Sequence, residues 1–108
     1  MSVVACVQMA SGPNVGANLL EAERLIEEAV SQQAQLVVLP ENFALMGKTE
    51  HDKIAAREQD GQGPMQEFLA EQSARHDIWL VGGSIPMVAR DDNKILAACL
   101  VFDDTGRQ

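Results

Sequence analysis

Positive charge is scarce in this sequence. Eight Lys and Arg stand against 16 Asp and Glu in 108 residues, a formal net charge of −8. That balance repels a phosphate backbone and no local Lys/Arg cluster offsets it, which argues against nucleic acid and anionic membrane surfaces as partners. Cysteine is nearly absent too. Cys6 and Cys99 lie in separate apolar, strand-like runs and form neither a disulfide framework nor a zinc site. They read as buried thiols in a reducing compartment, since free cysteine is among the most buried residue types. No apolar run approaches membrane-spanning length. The opening "MSVVACVQMA" lacks the basic region and long apolar stretch of a secretion signal. A cytosolic protein is expected.

Cofactor signatures are missing as well. Gly47-Lys48-Thr49 follows a strand-like run, but the position where a phosphate loop needs its first glycine holds Asn42, and Phe43, Leu45 and Met46 fill the loop. Gly12 and Gly16 follow the first strand-like run, yet Asn14 and Ala17 occupy the other glycine positions of a dinucleotide fingerprint. His51 and His76 have no partner one helical turn away, and the Glu50-His51-Asp52 run reads as a solvated face. Asp91-Asp92 and Asp103-Asp104 read as turn residues, because Asp side chains bond their own backbone there. No metal or cofactor site is expected.

What is present is ordinary globular material, 46% hydrophobic and 22% charged, enough for one modest domain over residues 1–108. Val3–Met9 reads as a strand, and a loop rich in turn residues follows. Asn18 reads as a helix cap, with Glu21 completing a capping-box-like pair. Leu19, Ala22, Leu25, Ile26, Ala29 and Val30 repeat at helical spacing after it. Leu36–Leu39 is a second strand. The polar stretch 47–63 is a surface excursion with a short helix near Lys53–Arg57, and Met65–His76 is a second amphipathic helix. Ile78–Val81 and Ile95–Phe102 read as the third and fourth strands. The order β-α-β-α-β-β predicts an α/β layered fold.

One residue breaks the pattern. In "LVVLPENFALMG" (36–47) a strand runs into Pro40 and then Glu41, a carboxylate set beside Leu39, Phe43, Leu45 and Met46. It can simply end the strand and cap the next turn. It can also be a general base, because ligands of open α/β sheets bind at the carboxyl ends of strands. Apolar neighbours would partly desolvate such a carboxylate and suit it to proton transfer near neutrality. Spacing leaves both readings open.

"LVVLPENF" resembles the N-terminal signature of the nitrilase, or carbon–nitrogen hydrolase, superfamily. "VACVQM" (4–9), "NLLEAERLIEEAV" (18–30), "IWLVGGSIP" (78–86) and "LVFDDTG" (100–106) resemble the same family's first half in the same order. The resemblance implies the N-terminal portion of an α-β-β-α sandwich that acts without a cofactor on a small-molecule amide. It further implies a Glu-Lys-Cys triad, with Glu41 as the general base. The family's lysine and cysteine lie beyond Gln108, and neither Lys94 nor Cys99 matches a triad position. Residues 1–108 are therefore expected to be a partial domain whose open faces drive homo-oligomer formation. "LPENFALMG" is similar to the small-amidase branch acting on ω-amides and deaminated glutathione. The rival reading is a non-catalytic α/β module used for binding or assembly.

Overall fold

Apolar side chains recur on both faces of the strands, and the fold follows from how each face is covered. The computed structural model describes residues 2–108. Its elements in chain order are β1 (Val4–Cys6), α1 (Val15–Ser31), β2 (Leu36–Val38), α2 (Glu50–Ala56), α3 (Pro64–His76), β3 (Trp79–Val81), β4 (Ile85–Val88), β5 (Ile95–Ala98) and β6 (Val101–Phe102). A four-stranded sheet has the order β1-β2-β3-β6, with β1, β2 and β3 parallel and β6 antiparallel to β3. β4 and β5 form a separate antiparallel hairpin.

Side chains alternate across a strand, so the register sorts them into two sets. Ala5, Val37, Leu80 and Phe102 line up on one face. Val37, Leu80 and Phe102 are buried there in one core with Ala22, Ile26 and Ala29 of α1 and Met65 and Leu69 of α3. The two helices are joined by an Arg75–Glu23 ion pair at 3.6 Å. The other face carries Val4, Leu36 and Trp79 in one row and Cys6, Val38, Val81 and Val101 in the next. Among the described residues no helix covers it: Val4 is 56% exposed, Trp79 50% and Val101 43%. The sheet is apolar on two sides and roofed on one.

This arrangement corrects the expectation for the cysteines. Both are exposed. Cys6 lies in a row of the bare face, and Cys99 lies in the link between β5 and β6. The predicted fourth strand also divides there. Residues 95–98 pair with β4 and residues 101–102 with β3, so the chain changes sheets at Cys99-Leu100. Ile85–Val88, not expected as a strand, supplies the hairpin partner.

The first helix starts earlier than expected. Asn14 is its cap, accepting the Ala17 N–H at 2.9 Å. Asn18 lies one turn inside and is buried. Glu21 pairs with Arg24 on the surface rather than closing a capping box. The short helix near residue 53 runs over Glu50–Ala56, opened by a Thr49–Asp52 capping box.

α3 is capped by a residue from outside it. Glu58 is buried, and its carboxylate accepts the N–H groups of Met65 and Gln66 (2.7 and 3.1 Å) and the Gln66 side-chain amide (3.0 Å). A carboxylate at a helix N-terminus also meets the positive end of the helix dipole. Gly63 makes room: its φ is 124°, and a Cβ there would lie 2.3 Å from the Glu58 carboxyl carbon. The Glu58 backbone bonds β4 on both sides, its N–H to Pro86 O and its C=O from Val88 N–H, each at 3.0 Å. Glu58 thereby ties α3 to the hairpin.

Candidate active site

The three parallel strands point their carboxyl ends the same way, and the segment after β2 carries Glu41 to that edge. Leu39 continues the ladder, its N–H bonding Val81 O at 2.9 Å, before Pro40 ends the pairing. Glu41 follows at once, with an exposed side chain. Phe43, Ala44 and Leu45 then turn into the core, where all three are buried, and Phe43 packs on Phe68 with ring centroids 6.2 Å apart.

The expected desolvation of Glu41 is not found in this chain. Leu39, Phe43 and Leu45 are buried in the core and Met46 is 48% exposed, so these residues anchor the turn rather than enclose the carboxylate. Among the described residues Glu41 makes no ion pair and no side-chain hydrogen bond. Lys94 and Cys99 are also exposed, one in the hairpin turn and the other before β6.

The turn itself is held from two sides. On one side is the loop between β3 and β4. Ser84 Oγ accepts the Asn42 N–H at 2.9 Å, and a Cβ on Gly83 would stand 2.0 Å from the Pro40 carbonyl oxygen. Asn42 has φ 54°, in the left-handed region. On the other side is the loop between β1 and α1. Asn18 Nδ2 donates to Ala44 O and Gly12 O, both at 2.8 Å, and its Oδ1 accepts the Gly12 N–H at 3.0 Å. Ser11 Oγ donates to Phe43 O at 2.7 Å, and Met46 N–H bonds Gly12 O at 3.0 Å. Sequence reasoning missed Ser84, and it misassigned Asn18 as a cap. The available signal was a Gly-Gly-Ser run closing one strand beside a Pro-Glu-Asn run closing its neighbour.

The Gly47-Lys48-Thr49 segment bonds locally. The amides of the Lys48-Thr49 segment both donate to the Asp52 carboxylate, at 2.7 and 3.3 Å. Among the described residues no group of three His, Cys, Asp or Glu side chains could hold a metal ion. Two surface carboxylates are held below their usual range, Glu21 by the Arg24 side-chain hydrogen bond and Asp103 by that of the Thr105 hydroxyl. Neither belongs to the turn.

A sequence profile of the family described as carbon-nitrogen hydrolase matches residues 3–108. The chain belongs to the carbon–nitrogen hydrolase family. It is 35% identical over 104 residues to a deaminated glutathione amidase of Yersinia enterocolitica, covering 95% of this chain and 36% of that protein. It is 38% identical over 89 residues to omega-amidase NIT2 of Danio rerio, covering 82% and 31%. Among solved structures it superposes on Saccharomyces cerevisiae Nit3, a member of branch 10 of the nitrilase superfamily, with TM-score 0.84 and 31% identity. That match covers 96% of this chain and 40% of Nit3. The fold is thus the N-terminal portion of the nitrilase architecture, and the chain spans about a third of the length of the two amidases.

Proposed function

We propose that residues 1–108 form the N-terminal part of a hydrolase that cleaves a small-molecule amide, with Glu41 as its general base. The observation that carries this reading is the placement of Glu41. It is the first side chain after Pro40 at the carboxyl end of β2, in a turn that two neighbouring loops hold, in a chain matching the family from residue 3 to 108.

The other two groups of the family's triad, a lysine and a cysteine, match no position in residues 1–108, so a segment beyond Gln108 would have to supply them. The Glu41 carboxylate takes the thiol proton, and the thiolate adds to the amide carbonyl carbon. The lysine ammonium and a backbone N–H stabilise the oxyanion, each donor contributing about 3 kcal/mol. The C–N bond then breaks as the Glu41 carboxylic acid returns its proton to the departing nitrogen, and ammonia leaves. Water, deprotonated by Glu41, adds to the thioester, the C–S bond breaks, the Glu41 proton returns to the departing thiolate, and the acid product departs. No cofactor enters this sequence.

The names of the similar amidases support a small ω-amide substrate. The bare sheet face supports self-association of the isolated chain, since uncovered apolar faces and open strand edges promote it. Two free thiols support a reducing, cytosolic setting.

Ammonia release from ω-amides tests the proposal, comparing the 108-residue chain with the same chain joined to its downstream segment. Turnover is expected only from the joined form, because residues acting as a unit fail together. Turnover by the 108 residues alone would contradict the incomplete triad. An inactive joined form carrying both downstream groups would favour the non-catalytic module.

A further inference from the structure

We infer that Ser84 is a positioning residue for Glu41, acting through the backbone of Asn42. The inference rests on the general-base reading above. Both peptide groups flanking Glu41 are fixed by consecutive residues of the β3–β4 loop. Gly83 lies against the Pro40 carbonyl on the upstream side, leaving no space for a side chain. Ser84 Oγ accepts the Asn42 N–H on the downstream side. Ser84 is only 8% exposed, so water competes poorly for that bond.

Asn42 needs this support. Its φ of 54° lies in the left-handed region, which Asn tolerates better than other residues with a side chain but at a cost relative to glycine. The Leu45 N–H bonds the Asn42 carbonyl at 3.2 Å, so the C=O of this residue is held within the turn while its N–H is held across to the neighbouring loop. Without the Ser84 hydroxyl the Glu41–Asn42 peptide loses its bond to the neighbouring loop, and any tilt of that peptide turns the Cα–Cβ direction of Glu41 with it. A proton acceptor must lie within hydrogen-bond reach of its donor, and a displacement near 1 Å can cost on the order of 10²-fold in rate. Ser84 is not required to touch the substrate, so its loss should appear in turnover rather than in substrate binding.

The test has two arms. In the complete hydrolase carrying this chain, Ser84→Ala is expected to lower kcat by about tenfold or more, with KM within about threefold. Ser84→Thr, which keeps the oxygen, is expected to retain most of kcat. In a Glu41→Gln background, Ser84→Ala should remove nothing further. If Glu41→Gln abolishes activity while Ser84→Ala keeps kcat within about twofold, the positioning role is wrong and the general-base reading survives. If Glu41→Gln remains active, the general-base reading fails first.

The second arm uses the 108-residue chain and needs no activity. Exchange of the Asn42 amide hydrogen, followed by NMR, is expected to be protected in the native chain and in Ser84→Thr, and at least about tenfold faster in Ser84→Ala. Equal exchange in native and Ser84→Ala chains would overturn the inference.

Discussion

The α carbon of Gly83 lies so close to the Pro40 carbonyl that a methyl group added to it would stand 2.0 Å from the oxygen. Gly83 also has φ +60°, so both space and backbone conformation require glycine. Gly83→Ala is expected to add about 1–3 kcal/mol of backbone strain and to push Pro40 away from its place beside Glu41. Thermal unfolding of the 108-residue chain should show a melting temperature lower by roughly 5 °C or more. An unchanged midpoint would mean that the two loops are not in contact in solution.

Glu58 is the second point where one side chain organises several elements. Glu58→Ala leaves the Met65 and Gln66 backbone N–H groups short of an acceptor, while the Gln66 side-chain amide keeps the Gln59 and Gln62 carbonyls, with desolvation costs of about 1–3 kcal/mol for each buried group left bare. Urea unfolding is expected to show a loss of about 2–4 kcal/mol. Glu58→Gln, which keeps one acceptor oxygen, should lose less. A loss below about 0.5 kcal/mol in Glu58→Ala would contradict its role as the cap of α3.

The uncovered sheet face gives a prediction about association. Sedimentation of the 108-residue chain is expected to show oligomers. Trp79→Lys combined with Val101→Lys should shift the population toward monomer with little loss of melting temperature, since about half of each side chain is already exposed. Cys6 shares that face, so a thiol reagent should label it readily in the isolated chain once the oligomers are dispersed. In the joined form labelling is expected to slow if the added segment packs on that face. A monomeric native chain would contradict the association argument.

Much of the fold was legible in the sequence, and the misses share physical causes. The apolar period of α1 and the short Val- and Leu-rich runs of β2 and β3 locate those elements closely. Cys6 was expected to be buried because it sits in an apolar run and free cysteine is among the most buried residue types; here the run has one face uncovered. Asn18 was misread because Asn at a helix start usually caps; here Asn14 does so, and Asn18 serves the distant Ala44 carbonyl instead. The division at Cys99-Leu100 left no local mark, because both halves have strand composition and only their partners differ. Glu41 was picked out by its setting after a strand and by family resemblance. Ser84 was invisible because its role depends on the approach of two loops 42 residues apart in the chain.

The central claim is that Glu41 is the proton acceptor of an amide hydrolase, and Glu41→Gln in the joined form measures it most directly. The substitution keeps the shape and removes the proton acceptor from an exposed side chain, so the melting temperature should not change. Ammonia release from an ω-amide is expected to fall by at least about 10²-fold, the usual lower bound for a general base. Activity within about tenfold of the native protein, with the fold intact, would contradict the assignment.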